Sequence, residues 1–198
     1  MPGHFEPAPG GGATVALDEV EISILRSLAV QLMELIGPGD EPAEDADPLA
    51  ALFAEGPSEA PSDPALARLF PDAYAGPGAG EESERDEELR TASSDFRRFT
   101  ELDLRSRKRA DAHRVVQALD SLTPSGEDEA VLKLTVEDCR CWLGALNDLR
   151  LTIGTRLDVA DDDETLYRLP DDDPRKPMVM AYLWLGVLQE TLVETLMP

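Results

Sequence analysis

Histidine and cysteine are scarce in this sequence, with two of each among 198 residues. His4 lies near the start and His113 in the middle of the chain, so a nucleophile paired with a positioned imidazole base has little to draw on. Glycine-rich phosphate loops, a His-Glu-x-x-His pair and Cys-x-x-Cys zinc spacing are all missing, and neither catalysis nor a cofactor is expected. Cys139 and Cys141, one residue apart, do not make the disulfide framework of a small secreted domain, which points to a reducing cytoplasm. Long apolar runs are missing too: Met178–Leu188 is interrupted by Tyr182 and Gly186 and falls short of the roughly 20 residues that span a bilayer. Met1–Pro7 has no basic segment leading into an apolar core, so no signal peptide is read there. Positive charge is also in short supply. The 41 acidic residues against 18 basic ones leave a formal charge of −23, a field that repels phosphate backbones and anionic lipid. Direct non-specific nucleic-acid binding and membrane association are not expected, and a protein partner with a basic surface suits the charge better.

What is present is helical periodicity. The organising stretch is Thr135–Asp158, where Thr135 can cap a helix with Asp138 three residues on, and Cys139, Leu143, Leu146, Leu149, Ile153 and Leu157 follow at spacings of three or four. It holds both cysteines and one of the two tryptophans. Upstream, residues 1–13 read as a mobile Pro/Gly-rich tail and Thr14–Leu17 as a short extended piece. Asp18 and Glu21 open a helix with two adjacent apolar stripes, one through Val20, Ile24, Leu28 and Leu35 and one through Ile22, Leu25, Ala29, Leu32 and Ile36, so it is expected to be largely buried. Gly37-Pro38-Gly39 ends it. The compositions of about 40–63 and 75–82 are too poor in apolar residues to offset ordering the backbone, and both read as flexible insertions within one domain spanning 14–198.

From Glu84 to Leu122 the pattern is one long helix or two joined ones, with Leu89, Ala92, Phe96, Phe99, Leu102, Val116 and Leu119 as apolar positions. His113 falls on that apolar side, which suits a partly buried structural histidine better than a catalytic one. A last helix carries a broad apolar face through Met178, Ala181, Tyr182, Leu185, Leu188, Leu192 and Leu196, widened by Trp184 and Val187. With no convincing alternating strand, the expected fold is all-α, a bundle of about four or five helices with acidic and Pro/Gly-rich loops.

Three features could carry function. Arg97, Arg98, Arg105, Arg107, Lys108 and Arg109 concentrate positive charge on the long helix; they read either as a solvated face that offsets the chain's own acidic loops or as a patch for an acidic partner surface. The segment Pro64–Tyr74, with Leu66, Leu69 (or Phe70) and Tyr74 sharing one face of a short helical turn, either docks on its own domain or binds a partner. Cys139 and Cys141 sit about 200° apart around a helix at 3.6 residues per turn, so they cannot meet disulfide geometry unless the first turn unwinds. They read as a redox pair or as packing residues. The acidic runs 161–164 and 171–173 lack the alternating ligands and central glycine of a calcium loop and read as solvated loops without a metal.

The arrangement Asp18-Glu19-Val20-Glu21 to Leu35, Phe96-Arg97-Arg98-Phe99, Trp142-Leu143-Gly144-Ala145-Leu146-Asn147-Asp148-Leu149-Arg150, Gly154–Asp158 and Tyr182-Leu183-Trp184-Leu185 resembles an actinobacterial family of AosR-like, oxidative-stress-responsive transcriptional regulators. The resemblance covers most of the chain outside the two flexible stretches, and Trp142–Arg150 is its most specific part. It implies a cytoplasmic, helical, non-enzymatic regulator of sulfur and cysteine metabolism that contacts a stress sigma factor, with a cysteine pair as the switch. The family spacing places that pair about one helical turn apart on one face. Cys139 and Cys141 depart from it, which puts the disulfide of this chain in question.

Overall fold

The computed structural model describes residues 3–37, 56–74, 84–122, 129–159 and 168–197. The expectations for residues 40–55, 75–82 and 161–164 lie outside these. In chain order the elements are β1 (Glu6–Pro7), β2 (Ala13–Leu17), α1 (Glu19–Ile36), α2 (Pro64–Leu69), α3 (Glu84–Asp120), β3 (Ala130–Leu134), α4 (Val136–Arg156) and α5 (Lys176–Leu196). The protein is predominantly helical, as the periodicity predicts.

The helix boundaries follow local chemistry. The Glu21 backbone N–H donates to Asp18 Oδ1 at 2.7 Å while Glu21 Oε2 accepts from the Asp18 N–H at 3.0 Å, which completes the capping box of α1. Gly37 closes that helix at φ +76°, with its N–H donating to the Met33 carbonyl. Thr135 and Asp138 form the same reciprocal cap on α4. The stretch Glu84–Asp120 contains neither glycine nor proline and forms one uninterrupted helix of 37 residues, about 55 Å long at 1.5 Å per residue.

α4 is the axis of the fold and lies against α1, α2, α3, α5 and β3. Of its predicted stripe, Cys139, Leu146, Leu149, Ile153 and Leu157 are buried while Leu143 is half-buried; Trp142 and Ala145, outside that stripe, are buried as well, and together they join one core with Leu25, Leu32 and Ile36 of α1, Val115 and Leu119 of α3, and Leu185, Leu188 and Leu192 of α5. Each Å² of apolar surface removed from water is worth about 25 cal/mol, which makes this shared core the dominant favourable contribution.

A small sheet was not anticipated. β1, β2 and β3 form an antiparallel sheet in that order, with Glu6 opposite Thr14, Val15 opposite Leu132 and Leu17 opposite Ala130. One face is buried: Ala13, Val15 and Leu17 of β2 and Leu132 and Leu134 of β3 turn inward while Val131 and Lys133 face out. The start of the chain is therefore part of the fold where composition suggested a mobile tail. Phe5 is buried and meets the ring of Trp142 edge-on, with centroids 5.8 Å apart and planes at 77°, and its N–H donates to the Thr191 hydroxyl. The β1–β2 turn needs its glycines. Gly12 has φ +87°, and a Cβ there would stand 2.1 Å from the Leu134 carbonyl oxygen.

Two further expectations are corrected. Phe96 and Phe99 are 47% and 70% exposed, because the inward face of the first half of α3 is built from Ser93, Arg97 and Glu101. His113 is exposed, since the buried positions around it are Ala112, Val115 and Val116. Replacement of Phe5 tests whether the chain start belongs to the core: Phe5→Ala should destabilise the fold by about 3 kcal/mol in chemical denaturation and shift the emission of Trp142, whereas a mobile tail would leave both unchanged.

Candidate functional site

The chemistry-bearing residues meet along the seam between α3 and α4. Gly144 lets the two helices approach closely here, since a Cβ at that position would stand 2.8 Å from Asp111 Oδ2. Lys108 Nζ donates to Asp148 Oδ1 at 2.6 Å, and Asp148 is only 2% exposed. Burial raises the Asp148 carboxyl above its ordinary range, against the opposing pull of Lys108. One turn further along α3, Asp111 is likewise raised by burial, countered by the hydrogen bond it accepts from the Cys141 thiol and by the charges of Arg107 and Lys108.

Both cysteines are free thiols, Cys139 buried and Cys141 half-buried. Burial pushes the Cys139 thiol up, opposed by a backbone hydrogen bond to Ala13. Cys141 is pushed up by burial and then by the adjacent Asp111 carboxylate, with Arg114 opposing. A thiol raised in this way carries little thiolate at neutral pH and is a poor nucleophile. The first turn of α4, which would have to open for the two sulfurs to meet, is held by the Thr135 and Asp138 cap and by Arg114, whose Nε donates to Asp138 Oδ1 at 2.9 Å.

The basic run of α3 faces largely into its own protein. Arg97 is buried, donating to the Phe70 carbonyl at 2.9 Å and to Asp72 Oδ1 at 2.8 Å and pairing with the buried Glu101. Arg105 also pairs with Glu101, at 2.7 Å, lies over the Phe70 ring at 4.5 Å and donates to the Ile36 carbonyl. Arg109 donates to the Met33 carbonyl at 3.2 Å. Arg105 and Arg109 thereby satisfy carbonyls in the last turn of α1, where a cation also complements the helix dipole. Of the residues expected to contact a partner, Arg97, Arg105, Lys108 and Arg109 are thus committed to internal partners, and Leu69 and Phe70 are buried in the core. Leu66 is half-buried against that core. Arg107 and Tyr74 are exposed, Tyr74 edge-on to Phe96 at 5.9 Å, and Arg98 is half-buried beside Asp95 and Phe99.

A second feature escaped the sequence. An apolar groove of about 1230 Å³ runs between α1 and α5, with Leu149 and Ile153 of α4 at its floor. One wall is the outer stripe of α1, including Ile24 and Leu28, which faces this groove and leaves Val20 and Ile24 exposed where two stripes suggested a largely buried helix. The sequence signal was the excess width of the apolar faces on α1 and α5. Among the described residues no group of three or more His, Cys, Asp or Glu side chains is placed to hold a metal ion. No described helix is long and apolar enough to cross a membrane.

The family model described as a domain of unknown function, DUF2017, matches residues 2–196. The chain belongs to the DUF2017 family. Curated relatives of this DUF2017 chain are named oxidative stress regulator AosR: those of Mycobacterium bovis and Mycobacterium tuberculosis are each 31% identical over 181 residues, covering 89% of this chain and 78% of theirs. A putative oxidative stress regulator AosR of Mycobacterium leprae is 30% identical over 183 residues, covering 89% and 79%. No solved structure matches.

The Lys108–Asp148 pair of this DUF2017 chain makes a pH-dependent prediction. Lys108→Met removes the group that holds the Asp148 pKa down, so the folded value rises further above the unfolded one. A raised folded pKa contributes stability below the unfolded value, about 3.9, and loses it as pH rises through the folded value. The variant should therefore lie close to the parent at about pH 4 and fall below it by about 3 kcal/mol at pH 7, with Lys108→Met/Asp148→Asn recovering most of the loss. A deficit equal at both pH values in urea unfolding would exclude the pair as its cause.

Proposed function

We propose that this chain is a non-enzymatic regulator of the oxidative-stress response that acts by contacting a protein of the transcription apparatus, a stress sigma factor or RNA polymerase itself. The observation that carries this reading is the alignment of 89% of the chain with relatives named oxidative stress regulators. The charge of −23 supports contact with a basic protein surface over direct contact with DNA. Affinity capture of the tagged protein from its own cells, before and after mild peroxide, tests it. Recovery of a sigma factor or a polymerase subunit in either condition is the expected result, and capture that returns neither ends this reading.

Within the proposal the oxidant acts through Cys139 and Cys141, and the thiols would have to respond unequally. Cys141 is partly accessible, whereas Cys139 is fully enclosed beneath the β2 backbone. A second reading, an adaptor whose cysteines only fill space, draws support from the upward displacement of both thiols. Peroxide treatment followed by mass spectrometry separates the two. The redox reading expects Cys141 to be modified before Cys139, and any disulfide between them to appear together with lost helical circular dichroism and a changed Trp142 environment; two unmodified thiols in folded protein would leave the adaptor.

A further inference from the structure

We infer that the groove between α1 and α5 is a docking site for a basic amphipathic helix of a partner protein. This deepens the protein-contact reading and rests on it for its biological setting, but the geometry stands by itself. The groove has a floor from α4 and two helical walls, with Ile24 and Leu28 on one side and Met180, Trp184 and Val187 on the other. Ile24 and Val187 are about 40% exposed and Met180 is 57% exposed, so large apolar side chains stand in water along one trough. Contiguous exposure of this kind marks an interaction surface.

Size selects against a small molecule. About 1230 Å³ exceeds the roughly 300–1,000 Å³ of ordinary ligand pockets, and the groove runs beside the 18-residue α1. An amphipathic helix laid into a groove presents apolar residues at spacings of three and four, and flexible methionines such as Met178 and Met180 adapt to its shape.

Charge selects the partner. Among the described residues that line the groove, Glu21 and Glu34 stand on the α1 side against one cation, Arg156. Nearby cations are neutralised within the chain: Arg26 by Asp120 at 2.6 Å, Arg175 by Asp173 at 2.9 Å, and Lys176 by Asp171. A second copy would bring a chain that itself carries a net charge of −23, whereas a basic helix gains from the field along its whole approach.

The experiment uses the full chain and three synthetic peptides of the same length as α1: a tryptophan-free Leu/Lys peptide with leucines at helical spacing, a scrambled peptide of identical composition, and a Leu/Glu analogue. Trp184 lines the groove and Trp142 is fully buried, so intrinsic fluorescence reports occupancy. The amphipathic Leu/Lys peptide should bind saturably, at least about tenfold more tightly than the scrambled one and more weakly at about 1 M salt, with no binding of the Leu/Glu analogue. Ile24→Gln/Met180→Gln, neutral changes at exposed positions, should weaken binding by at least about tenfold, and Val131→Gln on the exposed face of β3 should leave it unchanged. Equal binding of the scrambled peptide, or unaltered binding to a folded double variant, overturns the proposal. So does a dimer in sedimentation equilibrium that the double variant dissociates, which would assign the groove to a second copy. If the double variant does not fold, the scrambled and salt comparisons on the parent protein still decide. Failure here removes the groove and leaves the regulator reading to its capture experiment.

Discussion

The fold depends on a row of cations along one face of α3. Arg97, Arg105, Lys108 and Arg109 tie three separate pieces of the chain to α3: Arg97 the segment after α2, Arg105 and Arg109 together the end of α1, and Lys108 the middle of α4. In a protein with 41 carboxylate residues these are scarce groups, and they are placed where buried carbonyls and carboxylates would otherwise go unmatched. An unpaired buried charge costs several kcal/mol, whereas a matched pair adds little net stability over an apolar replacement. The row therefore acts mainly on register. A shift of α3 by one residue would turn Lys108 away from Asp148 and Arg97 away from the Phe70 carbonyl together, so alternatives to the observed arrangement carry several uncompensated groups at once.

This constraint also explains which parts of the fold were legible in the sequence. α1, α4 and α5 bury apolar stripes of period 3.6, and their boundaries carry local signals such as Asp18 with Glu21 and Thr135 with Asp138. The inner face of α3 is polar in its first half and apolar in its second, so hydrophobic periodicity selects the wrong phase and assigns Phe96 and Phe99 inward. A strand as short as Glu6–Pro7 has no alternation to read, and the glycines that suggest mobility at residues 10–12 are there because the turn needs positive φ. Burial of Cys139 followed from its place in the α4 stripe. The contacts of Asp111 with Cys141 and of Lys108 with Asp148 did not, because they depend on how two helices distant in sequence are aligned.

The same economy of charge shapes the surface. Cations drawn inward leave carboxylates to dominate outside, and the acidic field is a consequence of how the interior is matched as much as of composition. Against that field the open apolar faces of α1 and α5 are not closed by a described element, although α4 beneath them is well packed. The fold holds its core together without covering this trough, which is the condition for presenting it to another molecule.

The cysteines sit at the opposite end of the argument. Cys139 is enclosed next to the Ala13 backbone, and Trp142, less than one turn on, rests against Phe5. Any chemistry that joins the two sulfurs must rotate one of them around the helix, open the Thr135–Asp138 cap and loosen the contact between α4 and the β1–β2 hairpin. A disulfide between them would therefore be coupled to the position of the chain start and not confined to two side chains. That coupling is the physical means by which a Cys-x-Cys pair on a helix could change a protein's shape, and it follows from the same burial that keeps the thiols protonated.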